Sequence, residues 1–290
     1  METTDRRSLS AVVITGASTG IGRACALHLD RLGFTVFAGV RREADGEVLK
    51  SMSSGLLVPI LLDVTVDASV EQARQIVAAK VGDSGLVGLI NNAGIAIAGP
   101  IEFLPIEDLR RQFDVNVVGQ VRVTQAFLPL LRTGRGRIVN VGSIAGRNSL
   151  PFIGAYNASK SALASLTDAL RVELRPWGIE VSLIEPSSIA TPIWEKSLAT
   201  AEEIFADSPP AATALYGPAL GFLRAIGARA GTTAVSTDQV VRAVVHALTA
   251  KRPKTRYLVG KSVRLRVAFT LLPDRMRDWL VARMLPRYGR

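Results

Sequence analysis

Three glycines fall close together in Thr15-Gly16-Ala17-Ser18-Thr19-Gly20-Ile21-Gly22. An apolar run, residues 11–15, precedes them and predicts a β-strand, and an amphipathic run, residues 21–32, follows and predicts an α-helix. In this setting the first glycine permits a tight turn, the second lets the backbone approach a pyrophosphate, and the third lets the helix pack closely on the strand. The helix N-terminus adds free N–H groups and the positive end of its dipole. The stretch therefore predicts a dinucleotide-binding loop at the start of an α/β fold.

The same alternation of short apolar runs and longer amphipathic runs continues along the chain. It predicts further strands at residues 35–39, 57–61, 87–91, 137–141, 180–184 and 256–259. It predicts further helices at residues 69–81, 106–131, 155–175 and 237–249. Repeated βαβ units indicate a Rossmann-like, doubly wound parallel sheet in a three-layer αβα sandwich. Ligands of such sheets bind beyond the carboxyl ends of the strands, so we expect functional residues just after strands.

Composition narrows the classes of protein to which the chain can belong. The 290 residues are 48% hydrophobic, enough for one domain with a large core, and the one cysteine, Cys25, excludes an intrachain disulfide. We therefore expect a cytoplasmic protein, with no secretory signal in the polar first ten residues and no membrane-spanning helix. The net charge of +10 comes without a nucleic-acid-binding module, and the two histidines lack metal-ligand spacing, so neither nucleic acid nor a metal is expected.

Two segments depart from the alternation. Residues 187–235 predict a mobile, mostly helical flap over the site, set on a dinucleotide-binding catalytic domain of residues 1–260. Its large apolar side chains could line an apolar pocket or simply pack; they are Ile193, Trp194, Leu198, Ile204, Phe205, Leu215 and Phe222.

Residues 261–290 form a tail with eight basic and two acidic residues. Within the tail, an amphipathic helix is predicted from the spacing of Met276, Trp279, Leu280, Arg283 and Met284, with Arg275, Arg277 and Arg287 beside them. Such a helix can pack on the flap, pack on a second subunit, or lie on an anionic membrane surface.

A candidate acid/base group lies at the start of the predicted helix 155–175. Tyr156 and Lys160 are four positions apart, so both side chains project from one helical face. A phenol has a pKa of about 10, and a nearby ammonium would depress that pKa by favouring the phenolate. Ser143 follows a predicted strand 13 positions earlier, where its hydroxyl can orient a substrate oxygen. These residues indicate proton exchange with an oxygen of the substrate.

The T-G-x-x-x-G-x-G spacing of residues 15–22, the Asn91-Asn92-Ala93-Gly94 motif and Tyr156-x-x-x-Lys160 resemble the short-chain dehydrogenase/reductase family over roughly residues 10–260. The resemblance implies a nicotinamide-dependent oxidoreductase that interconverts an alcohol and a carbonyl. It also implies a catalytic tetrad of Asn116, Ser143, Tyr156 and Lys160, in which Asn116 holds a water that links Lys160 to solvent.

The resemblance further assigns residues to the cofactor. Asp63 would bind the adenine amino group and Val64 would add a backbone contact, although Asp63 could also cap the following helix. Ile189 would contact the nicotinamide carboxamide through its backbone, followed by Thr191, while Ser187 stands where the family usually has glycine. The full set of implied cofactor residues is Gly16, Ser18, Thr19, Gly20, Ile21, Gly22, Arg41, Asp63, Val64, Asn92, Ala93, Gly94, Tyr156, Lys160, Pro186, Ile189 and Thr191.

The end of the second predicted strand bears on the choice of cofactor. Family members that prefer NAD place an acid there for the ribose diol, but this chain has Val40 followed by Arg41. A guanidinium pairs with a 2′-phosphate that a carboxylate would repel. We therefore expect NADP(H) to be preferred over NAD(H), although Thr19 stands where some NADP-binding members carry a basic residue.

Residues 185–195 and the basic tail are most similar to family members that act on steroids, retinol or other lipid alcohols, which implies a small hydrophobic alcohol or ketone as substrate and a role in lipid metabolism. A homodimer or homotetramer is expected, with peripheral membrane association through the tail as a further hypothesis. Two alternatives remain. A 3-oxoacyl carrier-protein reductase would share all these motifs, but the long flap and tail argue against this activity. A non-catalytic dinucleotide sensor would not need Tyr156 and Lys160 together.

Overall fold

The computed structural model describes residues 10–283 and 285, without the side chains of residues 219–220 and 226–233; Met284 and Arg287 of the predicted tail helix lie outside the described residues. Within this part of the chain, seven parallel strands form one sheet in the order β3-β2-β1-β4-β5-β6-β7. The strands are β1 (Ala11–Ile14), β2 (Thr35–Val40), β3 (Leu57–Leu61), β4 (Gly88–Asn91), β5 (Arg137–Val141), β6 (Glu180–Pro186) and β7 (Arg256–Val259). The order reverses between β1 and β4, which confirms the doubly wound sheet and creates the crevice where such folds bind ligands.

Helices cover both faces of the sheet. They are α1 (Gly20–Arg31), α2 (Glu43–Ser51), α3 (Asp67–Val81), α4 (Ile106–Phe113), α5 (Gly119–Thr133), α6 (Gly154–Glu173), α7 (Ile193–Asp207), α8 (Pro210–Thr233), α9 (Asp238–Thr249), α10 (Val263–Phe269) and α11 (Asp274–Ala282). Alternate residues of β1 serve different cores: Val12 packs with α1 and α9, whereas Val13 packs with α3 and α5. Two separate apolar cores on one sheet confirm the three-layer arrangement.

The predicted helix of residues 106–131 is interrupted in the structure. A π-helical stretch, Asp114–Val118, lies between α4 and α5 and contains Asn116. The extra residue of a π turn is invisible in an apolar repeat, because it changes the pattern by only one position. A second difference is α2, which was not predicted because its nine residues bury only Gly46 and Leu49.

A buried chain of polar side chains crosses the sheet below the site. The Asn91 amide donates hydrogen bonds to the hydroxyl of Thr124, at 2.9 Å, and to the carbonyl oxygen of Asn140, at 2.9 Å. The Asn140 amide in turn donates to the hydroxyl of Thr167 at 2.8 Å. These bonds link β4 and β5 to the helices α5 and α6, because buried polar groups are costly unless they are paired.

The flap segment is mostly helical, as predicted, and consists of α7 and α8. The Tyr216 hydroxyl donates a hydrogen bond of 2.7 Å to Glu102, and the Tyr216 ring lies edge-on to Phe152, with centroids 6.3 Å apart. Among the apolar side chains singled out above, Ile204 and Phe205 are buried as packing residues and Leu215 is exposed. The flap is therefore fixed to the body by both polar and aromatic contacts; its mobility stays a prediction.

The tail segment packs on the body at two points. The Asn148 amide donates a hydrogen bond of 2.8 Å to the carbonyl oxygen of Arg266 in α10, and Leu285 packs against the apolar cluster under the flap. Large apolar side chains nevertheless remain exposed on this segment: Leu265, Leu271, Met276 and Trp279. In the described part of the chain, no helix is both long and apolar enough to cross a membrane.

Candidate active site

One cavity of about 540 Å³ opens at the carboxyl ends of the central strands. It collects nearly all the residues that the sequence singled out: Gly16, Ser18, Thr19, Gly20, Ile21, Arg41, Asp63, Val64, Asn92, Ala93, Gly94, Ser143, Tyr156, Lys160, Pro186, Ile189 and Thr191. Gly22 and Asn116 lie behind its wall rather than on it. The candidate residues that follow strands in the sequence therefore lie close together in space, because parallel strands end at one edge of the sheet.

The glycine loop can be formed only without side chains at particular positions. Gly16 has a φ of 65°, in the left-handed region, and a Cβ there would lie 2.8 Å from the Cα of Ala93. At Gly22 a Cβ would lie 2.3 Å from the carbonyl oxygen of Gly16. The third glycine therefore lets α1 approach the loop itself, which brings its N-terminal N–H groups to the cavity. This cradle fits a pyrophosphate, as expected for a dinucleotide.

Thr15 fixes the glycine loop to the loop after β4, a role that the sequence did not reveal. Its hydroxyl accepts hydrogen bonds from the backbone N–H groups of Asn92, at 3.0 Å, and Ala93, at 2.9 Å. The Asn92 amide returns hydrogen bonds to the carbonyl oxygens of Thr15, at 2.9 Å, and Gly16, at 3.1 Å. The two cofactor loops are therefore held as one unit.

Asp63 closes a turn and also lines the cavity. One carboxylate oxygen accepts hydrogen bonds from the backbone N–H and the hydroxyl of Thr65, at 2.9 Å and 2.7 Å. The helix α3 begins at Asp67 with Val66 in the capping position, so Asp63 is not the cap of that helix. Its contact with adenine stays a prediction.

The candidate acid/base group is buried beside its expected partners. The Tyr156 hydroxyl shares a hydrogen bond with Ser143. The Lys160 Nζ donates a hydrogen bond of 2.9 Å to the carbonyl oxygen of Val141 and lies 6.0 Å from the centroid of the Tyr156 ring. Tyr156 and Lys160 lie in the first two turns of α6. Ser143 follows the end of β5, separated from it only by Gly142. The start of α6 and the end of β5 therefore bring the three side chains together.

Burial shifts both pKa values. Desolvation raises the pKa of Tyr156, and the hydrogen bond with Ser143 lowers it by less. Desolvation also lowers the pKa of Lys160 to about 8. The expectation of a depressed pKa for Tyr156 is therefore wrong for the protein by itself, because burial raises that pKa and the Lys160 ammonium is directed to the carbonyl oxygen of Val141.

Asn116 is completely buried, and its amide is engaged on both sides. Its oxygen accepts a hydrogen bond of 2.9 Å from the backbone N–H of Ile95, and its nitrogen donates to the Ile95 carbonyl oxygen at 2.9 Å and to the Ser159 hydroxyl at 3.0 Å. A Cβ placed on Gly94 would lie 3.3 Å from the Asn116 oxygen and 3.6 Å from the Lys160 Nζ, so these two groups flank the same glycine. Its role in holding a water stays a prediction.

The segment after β6 crosses from the sheet to the glycine loop. The backbone N–H of Ser187 donates a hydrogen bond of 2.8 Å to the carbonyl oxygen of Val259. Ser187 is accommodated beside Gly260, where a Cβ would lie only 2.0 Å from the serine Oγ. Thr191 then reaches the glycine loop, because a Cβ on Gly20 would lie 3.1 Å from its Cγ2. The departure from the family pattern at Ser187 is therefore compensated across the β6–β7 edge.

Two flap side chains complete the cavity. The Trp194 ring lies edge-on to the Tyr156 ring, with centroids 6.0 Å apart and an interplanar angle of 70°. Lys196, in the same turn of α7, lines the cavity together with Arg41. Trp194 was among the apolar flap residues in the sequence, but nothing in the sequence marked Lys196, because only folding brings the start of α7 beside the end of β2.

Comparisons with known proteins also indicate a dehydrogenase. The family model described as short chain dehydrogenase matches residues 10–202. Retinol dehydrogenase 5 of Mus musculus is 39% identical, covering 98% of this chain and 92% of its own, and 17-beta-hydroxysteroid dehydrogenase type 6 of Bos taurus is 36% identical, covering 95% and 89%. A solved short chain dehydrogenase from Burkholderia cenocepacia in complex with NADP has a TM-score of 0.69 and 26% identity, covering 96% of this chain and 98% of its own.

The lowered pKa of Lys160 predicts how its replacement by methionine changes the pH dependence of stability. Its folded pKa of about 8 lies below the value of 10.5 expected when it is exposed. Between these values the unfolded chain binds a proton that the folded chain does not, so this group makes the wild type more stable as pH rises. We expect the urea unfolding free energy of the wild type, minus that of Lys160→Met, to increase by about 1–3 kcal/mol from about pH 7.5 to about pH 10.

The matched control is Lys251→Met, at an exposed position. Its difference from the wild type should stay constant over the same pH range. A constant difference for Lys160→Met as well would show that the Lys160 ammonium is not desolvated in the folded protein.

Proposed function

This chain belongs to the short-chain dehydrogenase family and is an oxidoreductase acting on CH–OH groups, and we propose that it interconverts an alcohol and a carbonyl on a small hydrophobic substrate with NADP(H) as its cofactor. The observation that carries the proposal is the hydrogen bond between Ser143 and Tyr156, beside the buried Lys160 and in the cavity of the glycine loop. A protein that only senses a dinucleotide has no use for a buried acid/base pair of this kind.

The chain's own residues handle the proton and the orientation of the substrate. In the direction of reduction, the Tyr156 hydroxyl donates its proton to the carbonyl oxygen, and in oxidation the phenolate accepts the proton of the alcohol. Ser143 hydrogen-bonds the same oxygen and holds it near the phenol. When bound, the cofactor supplies or accepts the hydride at the adjacent carbon.

Lys160 adjusts the charge at this position. Burial raises the pKa of Tyr156, so the phenolate needs a cation close by to form near neutral pH. Lys160 is charged at neutral pH, since its pKa is about 8, and its four-residue spacing keeps it on the face of Tyr156. The residues that would hold the ribose and nicotinamide, Gly94, Ile189 and Thr191, lie on the same cavity.

Tyr156→Phe tests the proposed activity. Removing one hydroxyl deletes the acid/base group while it keeps the ring and its packing against Trp194. We expect kcat to fall on the order of 10³-fold, with the dissociation constant for NADPH changed less than about threefold. The measurement is loss of NADPH absorbance with a panel of retinoid, steroid and acyl ketones, combined with cofactor titration by fluorescence.

Tyr257→Phe is the control, because Tyr257 is a buried tyrosine away from the cavity. Retained turnover in Tyr156→Phe would overturn the assignment of the acid/base group. Turnover restricted to acyl ketones would favour the 3-oxoacyl carrier-protein reductase alternative instead.

The preference for NADP(H) is supported by the charges at the end of β2. Arg41 and Lys196 both line the cavity, and Val40 contributes no carboxylate. The nearby Asp45 is paired with Arg42 by two hydrogen bonds of 3.0 Å, which lower its pKa and offset its charge. Both cationic side chains could meet a 2′-phosphate in this cavity, and the similar Burkholderia structure contains NADP.

Arg41→Ala tests this preference. Loss of a charge-assisted hydrogen bond to a phosphate costs about 1.5–3 kcal/mol, so we expect KM for NADPH to rise about 10- to 100-fold while KM for NADH changes less than about twofold. Arg31→Ala, at the exposed end of α1, is the control and should change neither value. Equal kcat/KM for NADH and NADPH in the wild type would contradict the preference.

A hydrophobic substrate is supported by the apolar part of the cavity lining. The apolar side chains there include Ile95, Ile97, Ile193 and Trp194, and Trp194 packs edge-on to the Tyr156 ring. The curated relatives compared above are named for retinol and hydroxysteroid substrates. Aromatic and branched aliphatic walls of this kind suit the ring systems of such molecules better than a polar acyl carrier. The cytoplasmic location and the homodimeric or homotetrameric assembly stay predictions.

Peripheral membrane contact through the tail is a further part of the proposal. The segment of α10, α11 and their connection exposes apolar residues, among them Leu271 and Trp279, and the basic residues Arg264, Arg266 and Arg275. Exposed basic and apolar side chains in one short segment suit the interface of an anionic bilayer.

The double variant Leu271→Asp, Trp279→Asp tests this surface without removing the contacts of α10. We expect the wild type to float with vesicles containing phosphatidylserine but not with phosphatidylcholine alone, and the variant to stay in the dense fraction. Val172→Asp, at an exposed position of α6, is the matched control. Equal flotation of wild type and double variant would rule the surface out.

A further inference from the structure

A carboxylate without a role in the mechanism lies buried at the end of β6. Glu185 is only 1% exposed, and Arg147 holds it with two hydrogen bonds, from Nε at 2.6 Å and from Nη2 at 2.8 Å. Arg256 adds a third from Nη1 at 3.3 Å. Two parallel N–H bonds from one guanidinium fix both the distance and the angle between the groups.

One partner of Glu185 lies in the loop of Ser143, and the other is bonded to the helix of Tyr156. Arg147 lies four positions after Ser143, in the loop between β5 and α6. Arg256 belongs to β7 and also donates a hydrogen bond to Asp168, on the helix that carries Tyr156. The carboxylate therefore connects the Ser143 loop, β6, β7 and α6 at one buried point.

The other hydrogen bonds of the loop between β5 and α6 show which contact the ion pair contributes. Three hydrogen bonds attach it to α6: the Asn157 amide donates to the carbonyl oxygens of Ala145, at 2.7 Å, and Asn148, at 3.1 Å, and the Ser161 hydroxyl donates to that of Gly146 at 2.7 Å. The Asn148 amide adds the bond to α10 described above. After Gly142, which bonds to β6 through its backbone, Arg147 is the contact that returns the loop to the sheet.

Stability alone does not account for a pair of this kind. Taking two charges out of water is costly, and apolar residues of similar size often replace a buried ion pair with no loss of stability. A bidentate pair does, however, define geometry, and a displacement of about 1 Å in a reacting group can cost about 10²-fold in rate.

We propose that Arg147 and Glu185 are positioning residues that hold the Ser143 loop against β6, so that the Ser143 hydroxyl stays on the Tyr156 hydroxyl during the reaction. The inference rests on the proposed chemistry of Ser143 and Tyr156 but not on the choice of NADP(H) or of the substrate. Neither side chain lines the cavity, so neither touches the reacting atoms.

The test compares breaking the pair with replacing it. Arg147→Met leaves a buried carboxylate with one weaker partner and should lower both Tm and kcat. The double variant Arg147→Met, Glu185→Leu removes both charges, so its Tm should return close to that of the wild type. We expect its kcat to remain at least about 10-fold below that of the wild type, with the dissociation constant for NADPH changed less than about threefold.

A pH profile supplies a readout that a purely structural role would leave unchanged. The hydrogen bond with Ser143 lowers the pKa of Tyr156, and ketone reduction needs Tyr156 protonated. Loss of that hydrogen bond should therefore move the basic limb of the kcat/KM profile for ketone reduction to higher pH in the double variant and in Arg147→Lys. Arg147→Lys keeps the positive charge but cannot form the two parallel hydrogen bonds to Glu185. It replaces the double variant in this test if that variant does not fold.

The control is Arg74→Met, which breaks an ion pair of 2.6 Å with Glu71 on α3, away from the cavity, and should keep wild-type kcat and pH profile. A double variant, or an Arg147→Lys variant, with wild-type kcat and pH profile would overturn the inference. If the wild type itself shows no turnover with the ketone panel, the proposed function fails first, which is a different result from an active wild type with an equally active double variant.

Discussion

The hydrogen bond from the buried Lys160 ammonium to the carbonyl oxygen of Val141 is the interaction on which the rest of the site depends. An ammonium inside a protein must be paired, and this one is paired with the last residue of a central strand. The bond therefore sets α6 against the end of β5, and with it the position of Tyr156 relative to Ser143. The same burial lowers the pKa of Lys160 to about 8, so the ammonium begins to lose its proton only slightly above neutral pH.

Around that point the site is built from backbone and buried polar contacts more than from surface side chains. Thr15 and Asn92 join the glycine loop to the loop after β4 through four hydrogen bonds, and Asn91 with Asn140 joins β4 and β5 to two helices. Such networks specify one arrangement because each unpaired group would carry a full desolvation cost. The flap, in contrast, is held by aromatic and apolar contacts together with the hydrogen bond from Tyr216 to Glu102.

Much of this could be predicted, and the failures have physical reasons. The strands and the glycine loop were predictable because buried parallel strands leave apolar runs and a turn that binds phosphate needs glycine at fixed places. The π turn at Asn116 and the short helix α2 were not, since neither changes the apolar repeat enough to be visible. The direction of the Tyr156 pKa was wrong because spacing gives the neighbouring charge but not the depth of burial.

The sequence by itself determined the fold class, the glycine loop and the candidate acid/base residues, because each of these depends on local spacing and on residue chemistry. Only the tertiary structure decided which distant residues meet. It set Trp194 against Tyr156, brought Lys196 to the cavity that Arg41 also lines, and paired Glu185 with Arg147 across 38 positions of chain. Contacts between separate elements depend on how the layers pack, and no periodicity in a single segment carries that information.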